Sequence, residues 1–359
     1  MPFLNQLEPD SLVRQFLANP PKDFATGQSP DGMPRFSTGF DVLTTADPAL
    51  RRRVERWPLS ERWRGWLRLR TCFVGSTVSE YVWLPDATTP DALARRLRIA
   101  LAPECSLLVV KDIPCDSPLL GDHANEYSAA FAMACQREGF VLMEGQALAW
   151  VRMDFDSAEQ YLARLSPGRR RDIRRKLRSR KSLDIQVLPT GSAVFDEPAT
   201  IDAFHALYQQ VFAQSEVHFD FLPRDFFDAV LRDGSSGGIV FVYRTAGRMI
   251  GWNLCFEHDG MLVDKYIGLD YPASREFNLY VVSWMENLDY ARRRGLRYYV
   301  AGWTDPAIKL QLGARLAFTR HAVRPRNALL RWLLRRISTH FESDRTWMEE
   351  HRPDAAGHP

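Results

Sequence analysis

The stretch Met261–Leu316, MLVDKYIGLDYPASREFNLYVVSWMENLDYARRRGLRYYVAGWTDPAIKLQLGARL, decides the fold. Its first residues, Met261–Ile267, are apolar and β-branched enough for a buried strand. From Phe277 to Arg294 apolar side chains recur at Val281, Trp284, Met285, Leu288 and Ala291, the spacing of one helix face. Three arginines suit the negative end of that helix, and Gly295 stands where a C-terminal cap is expected. Leu296–Ala301 is a second short strand. Strand, helix and strand within ~40 residues predict a right-handed crossover between two parallel strands. Ligands of such sheets gather beyond the carboxyl ends of the strands, here Gly268–Arg275 and Gly302–Lys309.

Upstream, Gly238–Arg244, Arg248–Glu257 and Met261–Ile267 predict an antiparallel meander, turning at Ala246–Gly247 and at the hairpin signal Asp259–Gly260. Ala199–Gln214 and Pro223–Leu231 carry helical spacing, and Leu183–Leu188 reads as a strand. Downstream, Ala317–Val323 is a strand and Asn327–Phe341 a basic amphipathic helix. A similar order precedes it. Leu67–Phe73 and Val78–Leu84 are expected as strands joined at Gly75. Pro90–Leu101 is expected as a helix, and Ser106–Ile113, Asp122–Arg137 and Phe140–Met143 as a second crossover unit. Arg137–Glu138–Gly139–Phe140 parallels Arg293–Arg294–Gly295–Leu296. The Pro/Gly-rich piece NPPKDFATGQSPDGMP reads as loop, and Phe40–Thr45 as a strand. Trp150–Phe155 reads as a strand followed by the helix Ala158–Leu165. Leu50–Trp66 has no clear assignment.

With 359 residues the chain has room for about two domains. The expected division is an arm at 1–35, a first domain at 36–165, a second at 166–343 and a flexible tail at 344–359. A net charge of +3 excludes a global polyanion-binding composition. The exception is Arg169–Lys181, with nine cations around one acid, Asp172. Cations at 170, 174, 178 and 181 share a face, opposite Ile173 and Leu177. A solvated basic helix and a phosphate-binding surface both fit this run, but its lack of aromatic residues argues against single-strand stacking. The five cysteines form no C-x-x-C and no metal-ligand spacing, so thiols in a reducing compartment are expected. No signal peptide and no run of ~18 apolar residues are seen. A cytoplasmic location is therefore expected, with the basic helices offering peripheral contact at the inner membrane surface.

Four stretches carry a resemblance: YLARLSPGRRRDIRRKLRSRK (Tyr161–Lys181), LYQQVFAQSEVHFDFLPRDFF (Leu207–Phe227), Gly247–Tyr271 with GRMIGWNLCF and DKYIGLD, and GWTDPAIKLQLG (Gly302–Gly313). The chain resembles the GNAT acyltransferase superfamily, and within it the Fem-type and BioF2-like branch with two GNAT domains in tandem. The resemblance implies an α/β fold of the mixed-sheet kind. Each domain would be a central mixed sheet flanked by helices, the first degenerate and the second holding the cleft. It further implies transfer of an acyl group from an acyl thioester, as acyl-CoA or on a carrier protein, to a small-molecule amine. No tightly bound cofactor and no metal would be required. GLDYPASREFN (Gly268–Asn278) stands where ordinary members carry a glycine-rich pyrophosphate loop. Fem-type relatives also lack the full loop, and some take an aminoacyl-tRNA as donor. Aminoacyl transfer to a cell-envelope precursor is thus the alternative, and a non-catalytic domain binding nucleic acid or lipid is a third reading.

In such a fold the two parallel strands splay and the activated acyl group lies in the gap. Asp264 and Tyr266, two apart on the first strand, are expected on one face, as base and leaving-group donor. Asp264 paired with Lys265 or an arginine, with Tyr266 a core residue, is the competing reading. Glu216 and His218, in SEVHFDF, are further candidate catalytic groups. Arg275, Asn278, Trp303 and Lys309 are expected to hold the donor. Asp305, Arg170 and Arg174 are expected to touch substrate, with a plain N-cap the competing reading for Asp305. Arg169–Lys181 is the expected contact for tRNA or anionic lipid.

Overall fold

The computed structural model describes residues 3–41, 68–215 and 219–337. The first half contains β1 (Phe3–Leu4), α1 (Asp10–Ala18), β2 (Ala25–Gln28), β3 (Pro34–Asp41), β4 (Arg68–Val74), β5 (Leu84–Pro85), α2 (Pro90–Leu101), β6 (Leu107–Cys115), α3 (Asp122–Arg137) and β7 (Val141–Arg152). The second half contains α4 (Ala158–Ala163), α5 (Pro167–Lys176), β8 (Asp184–Pro189), α6 (Pro198–Gln214), α7 (Arg224–Arg232), β9 (Gly238–Thr245), β10 (Arg248–His258), β11 (Met261–Leu269), α8 (Ala273–Glu276), α9 (Leu279–Arg293), β12 (Tyr298–Gly302), α10 (Pro306–Leu312), β13 (Arg315–Pro325) and α11 (Ala328–Ile337). The fold is mixed α/β, and the two halves repeat one plan: a meander, a helical crossover to a parallel neighbour, a further helix and a final strand. β4, α2 and β6 form the crossover in the first half, and β11, α9 and β12 form it in the second.

The final strands are exchanged. β7 leaves the first half to lie between β12 and β13, and β13 leaves the second to lie between β6 and β7. The described residues thereby form one eleven-stranded sheet, in the order β2-β3-β4-β6-β13-β7-β12-β11-β10-β9-β8. The expected parallel neighbours β6 and β7 are therefore separated by β13. One aromatic core joins the halves on one sheet face: Phe16, Phe36 and Phe73 share a cluster with Phe204, Phe226 and Trp252. On the opposite face α9 packs in a second cluster through Val281, Trp284, Met285 and Leu288.

Several local expectations hold for a visible reason. The turns Ala246–Gly247 and Asp259–Gly260 have positive φ at both positions, as a two-residue hairpin turn requires. α3 and α9 end alike. The N–H of Phe140 reaches Cys135 O and that of Leu296 reaches Ala291 O, each past a left-handed glycine, which is the Schellman geometry. Others fail. The Pro/Gly-rich piece contains β2, paired with β3. Val78–Leu84 is not a strand: Val78–Trp83 is buried irregular chain, and β5 begins only at Leu84. The two strands expected at Phe140–Met143 and Trp150–Phe155 belong largely to one long β7. Leu50–Trp66 and the 344–359 tail lie outside the described residues, as do the ends of the strand and helix expected at Phe40–Thr45 and Asn327–Phe341.

Candidate active site

β11 and β12 pair in parallel only at Met261↔Tyr298, Leu262↔Tyr299 and Val263↔Val300. Beyond that point β11 stays with β10 as far as Leu269, and β12 stays with β7 as far as Gly302. The two strands diverge, leaving a fork whose β11 edge has no strand partner on that side from Asp264 onward. At its throat Gly302 adopts φ +79°, and a Cβ there would lie 3.6 Å from the Asp264 carbonyl oxygen and 3.8 Å from Lys309 Nζ. Three features of the chain thus converge on one point.

Lys309 is brought there by a short, sharply bounded helix. Asp305 is left-handed at its N-cap, Pro306 fixes the first turn, and Gly313 is left-handed at its end. The Lys309 side chain is 4% exposed and makes no hydrogen bond or ion pair with a described residue. Burial pulls its pKa down to about 8, opposed by the charges of Asp264, Glu80 and Asp305. The Asp305 carboxylate makes no capping bond, contrary to the plain N-cap reading.

Asp264 and Tyr266 do not share a face. Tyr266 is paired with Leu254 and Asp264 with Cys255, so Lys265 is an extra residue, a β-bulge, and the alternation slips by one. Asp264 turns toward α9. Its Oδ2 accepts from Tyr299 Oη at 2.8 Å and Asn287 Nδ2 at 3.0 Å. Burial raises its pKa to about 6, against the Tyr299 hydrogen bond and the Lys309 charge. Tyr266 turns to the opposite face, among Tyr208, Phe226 and Phe227, and its hydroxyl is buried without a partner. Lys265 pairs with Glu80 of the first half and not with Asp264. Glu80 N–H donates to Glu8 Oε2, and Trp83 Nε1 donates to Glu8 Oε1 at 2.8 Å. Burial pushes Glu8 up to about 7 and Asp220 up to about 6.

The loop beyond β11 leads into α9. Arg275 lies 5.3 Å over the Tyr271 ring and donates to Gln214 Oε1. Asn278 is left-handed at the N-cap of α9, its side chain turned back to Glu276 O. Trp303, at the end of β12, meets Tyr81 edge-on. The arginine run borders this mouth. Arg169 reaches Leu310 O in α10, and Ser179 Oγ donates to Phe277 O just before α9. Arg174 is tied to Glu159, Arg175 and Lys176 to Asp172, and Arg180 to Glu286. Arg170, Arg171, Arg178 and Lys181 have no carboxylate partner among the described residues. Glu216 and His218 lie outside the described residues.

The first half has the corresponding fork, where β4 and β6 stop pairing at Val74↔Val110. It is closed by the chain itself. Lys111 Nζ donates to Ser76 O and Val82 N–H donates to Asp112 O. Only the second fork remains open. Sequence reading missed Glu8, Glu80, Asp220 and Lys265 as site residues. An acid in the otherwise apolar YVWL surroundings of Glu80 was the one available signal.

A family model, FemAB-like, described as peptidoglycan biosynthesis/recognition, matches residues 111–352. No curated protein matches the chain. Among solved structures, L-PGS from Bacillus licheniformis is similar at 11% identity and TM-score 0.54, over 92% of this chain and 97% of that one. FemX is similar at 11% identity and TM-score 0.53, over 92% of this chain and 94% of that one. At this identity the likeness is one of fold.

Proposed function

The chain belongs to the FemAB-like family, and from that membership we propose that it transfers an activated acyl group to an amine in the fork between β11 and β12. The observation that carries this reading is the unpaired β11 edge facing a buried, unpaired lysine across Gly302. The acyl carbonyl lies against the open edge, where backbone groups can bind it. The acceptor loses one proton to a carboxylate, and its nitrogen then bonds to the acyl carbon. The carbon–sulfur or carbon–oxygen bond breaks, and the second proton from nitrogen passes to the leaving atom. Lys309, positive at neutral pH, stabilises the charge that develops on the departing atom. Asp264, held by Tyr299 and Asn287, keeps negative charge beneath that lysine. Arg275 and Asn278 flank the donor at the start of α9.

We take an acyl thioester as the donor, on coenzyme A or a carrier protein. An aminoacyl-tRNA is the second reading, favoured by Arg170, Arg171, Arg178 and Lys181, which have no carboxylate partner among the described residues and belong to the run bordering the mouth. No described helix is long and apolar enough to cross a membrane. Leu329 and Trp332 of α11 are exposed beside Arg336, which supports contact with an anionic surface. The test is direct: acyl-CoA and aminoacyl-tRNA are each offered with a panel of primary amines, and amide formation is read by mass spectrometry. Transfer abolished by Lys309→Ala supports the reading. No transfer from either donor, or full activity in Lys309→Ala, overturns it.

A further inference from the structure

The segment that closes the first fork also carries Glu80 across to the second. There its carboxylate is 1% exposed. Lys265 takes Oε1, while Oε2 is buried with no partner among the described residues. The Tyr266 hydroxyl is likewise buried and has no partner among the described residues. Interiors rarely leave such atoms unsatisfied, and two at one place point to a missing donor. Burial acts most strongly on that hydroxyl, followed by Tyr208 and the charges of Asp220, Glu80 and Glu8. Among the described residues Lys265 is the only cation ion-paired to one of these acids; Lys111 also acts on Asp220 but is itself ion-paired to Asp112, a further acid. The cluster therefore has more acids than bases. Its walls are the rings of Tyr208, Phe226 and Phe227, whose faces suit a cation and its methylene stem. Lys265, which holds Glu80, directly follows Asp264, whose carbonyl oxygen lines the throat at Gly302, so the cluster adjoins the throat.

We propose that Glu80, Tyr266 and Asp220 form the acceptor subsite, which binds a primary ammonium on the face of β11 opposite α9. The inference rests on the transfer reading above and deepens it. The three N–H groups of a primary ammonium match Glu80 Oε2, Tyr266 Oη and the Asp220 carboxylate. A trimethylammonium has no donor for them, and an alcohol has no charge. The bulge at Lys265 makes this arrangement possible, since without it Tyr266 would face α9. In this arrangement the first half contributes to the reaction by recognising the acceptor.

The test uses the full chain without any donor, at neutral pH. n-Butylammonium, 1-butanol and butyltrimethylammonium are titrated by calorimetry and thermal shift. Saturable binding is expected for n-butylammonium alone. Tyr266→Phe should weaken it about tenfold or more, the usual loss for a hydrogen bond to a charged group. The unliganded melting point should not fall, because the hydroxyl has no partner to lose. Asp220→Asn should weaken it similarly, whereas Lys309→Ala should retain or tighten it. Equal binding of all three probes, no saturable effect of n-butylammonium, or undiminished affinity in both Tyr266→Phe and Asp220→Asn overturns the proposal. Ammonium binding that persists in a protein showing no transfer would count against the transfer reading and leave the subsite standing.

Discussion

Replacing Lys309 by methionine, a side chain of similar length without charge, should abolish transfer and make the protein more stable. The drop in its pKa from 10.5 to about 8 has burial as its largest cause. At ~1.4 kcal/mol for each tenfold change in proton affinity, the folded chain carries ~3 kcal/mol of cost for keeping this ammonium charged at neutral pH. Methionine removes that cost, and it also removes the attraction that holds Asp264 ionised, so the net gain should be ~1–3 kcal/mol. The sign with pH follows. Between pH 8 and 10.5 the unfolded lysine is protonated and the folded one is not, so this group makes the wild type progressively more stable as pH rises through that window. Lys309→Met lacks that gain, and the difference between the two stability curves should shrink from pH 7 to pH 10. Urea unfolding at several pH values, beside single-turnover transfer on the same samples, measures both effects. A variant that is less stable than wild type at pH 7 would show the ammonium to be satisfied within the fold. The argument for a substrate-facing charge would then fail.

Asp264→Asn removes a charge that raises the proton affinity of Lys309, so the alkaline limb of kcat/KM should move to lower pH; a limb that stays or moves up refutes the coupling. Replacing Arg170, Arg171 and Arg178 together by glutamine should weaken binding of an anionic donor and its dependence on salt, with a melting point within about a degree of wild type, since exposed charges contribute little to stability; a large fall would mark them as structural. Gly302→Ala forces a side chain into φ +79° and should cost ~1–2 kcal/mol, with reduced transfer because its Cβ enters the throat; an unchanged melting point would refute the strain.

The crossover unit and meander were legible because each rests on local spacing: helical recurrence through α9, hairpin residues at 246–247 and 259–260, and glycine exits at 139 and 295. The position of Lys309 was legible from the family resemblance of GWTDPAIKLQLG and from its place beyond a strand's carboxyl end. The exchange of β7 and β13 was not, because pairing between distant strands leaves no mark on either one. The bulge was equally silent. Lys265 looks like any alternating residue, yet it decides which face Tyr266 and Asp264 occupy. Glu80 lay in a segment expected as a strand. Its role depends on a contact 185 positions away, and that contact is set by tertiary packing alone.

The two forks follow from one geometric cause and differ in what fills them. A parallel pair that separates exposes backbone groups, and those groups must find partners in protein, water or ligand. At β4 and β6 the partners are internal, supplied by Ser76 and Val82, and a buried chain occupies the gap. At β11 and β12 Gly302 and α10 carry the chain around the throat and bring the Lys309 side chain to it. The segment spent on closing the first fork ends beside the second, bringing Glu80 to Lys265. Closing one site therefore builds a wall of the other, which gives a physical reason for the halves to share one sheet. Two separate sheets would leave the second fork open but without the acid that the first half lends it.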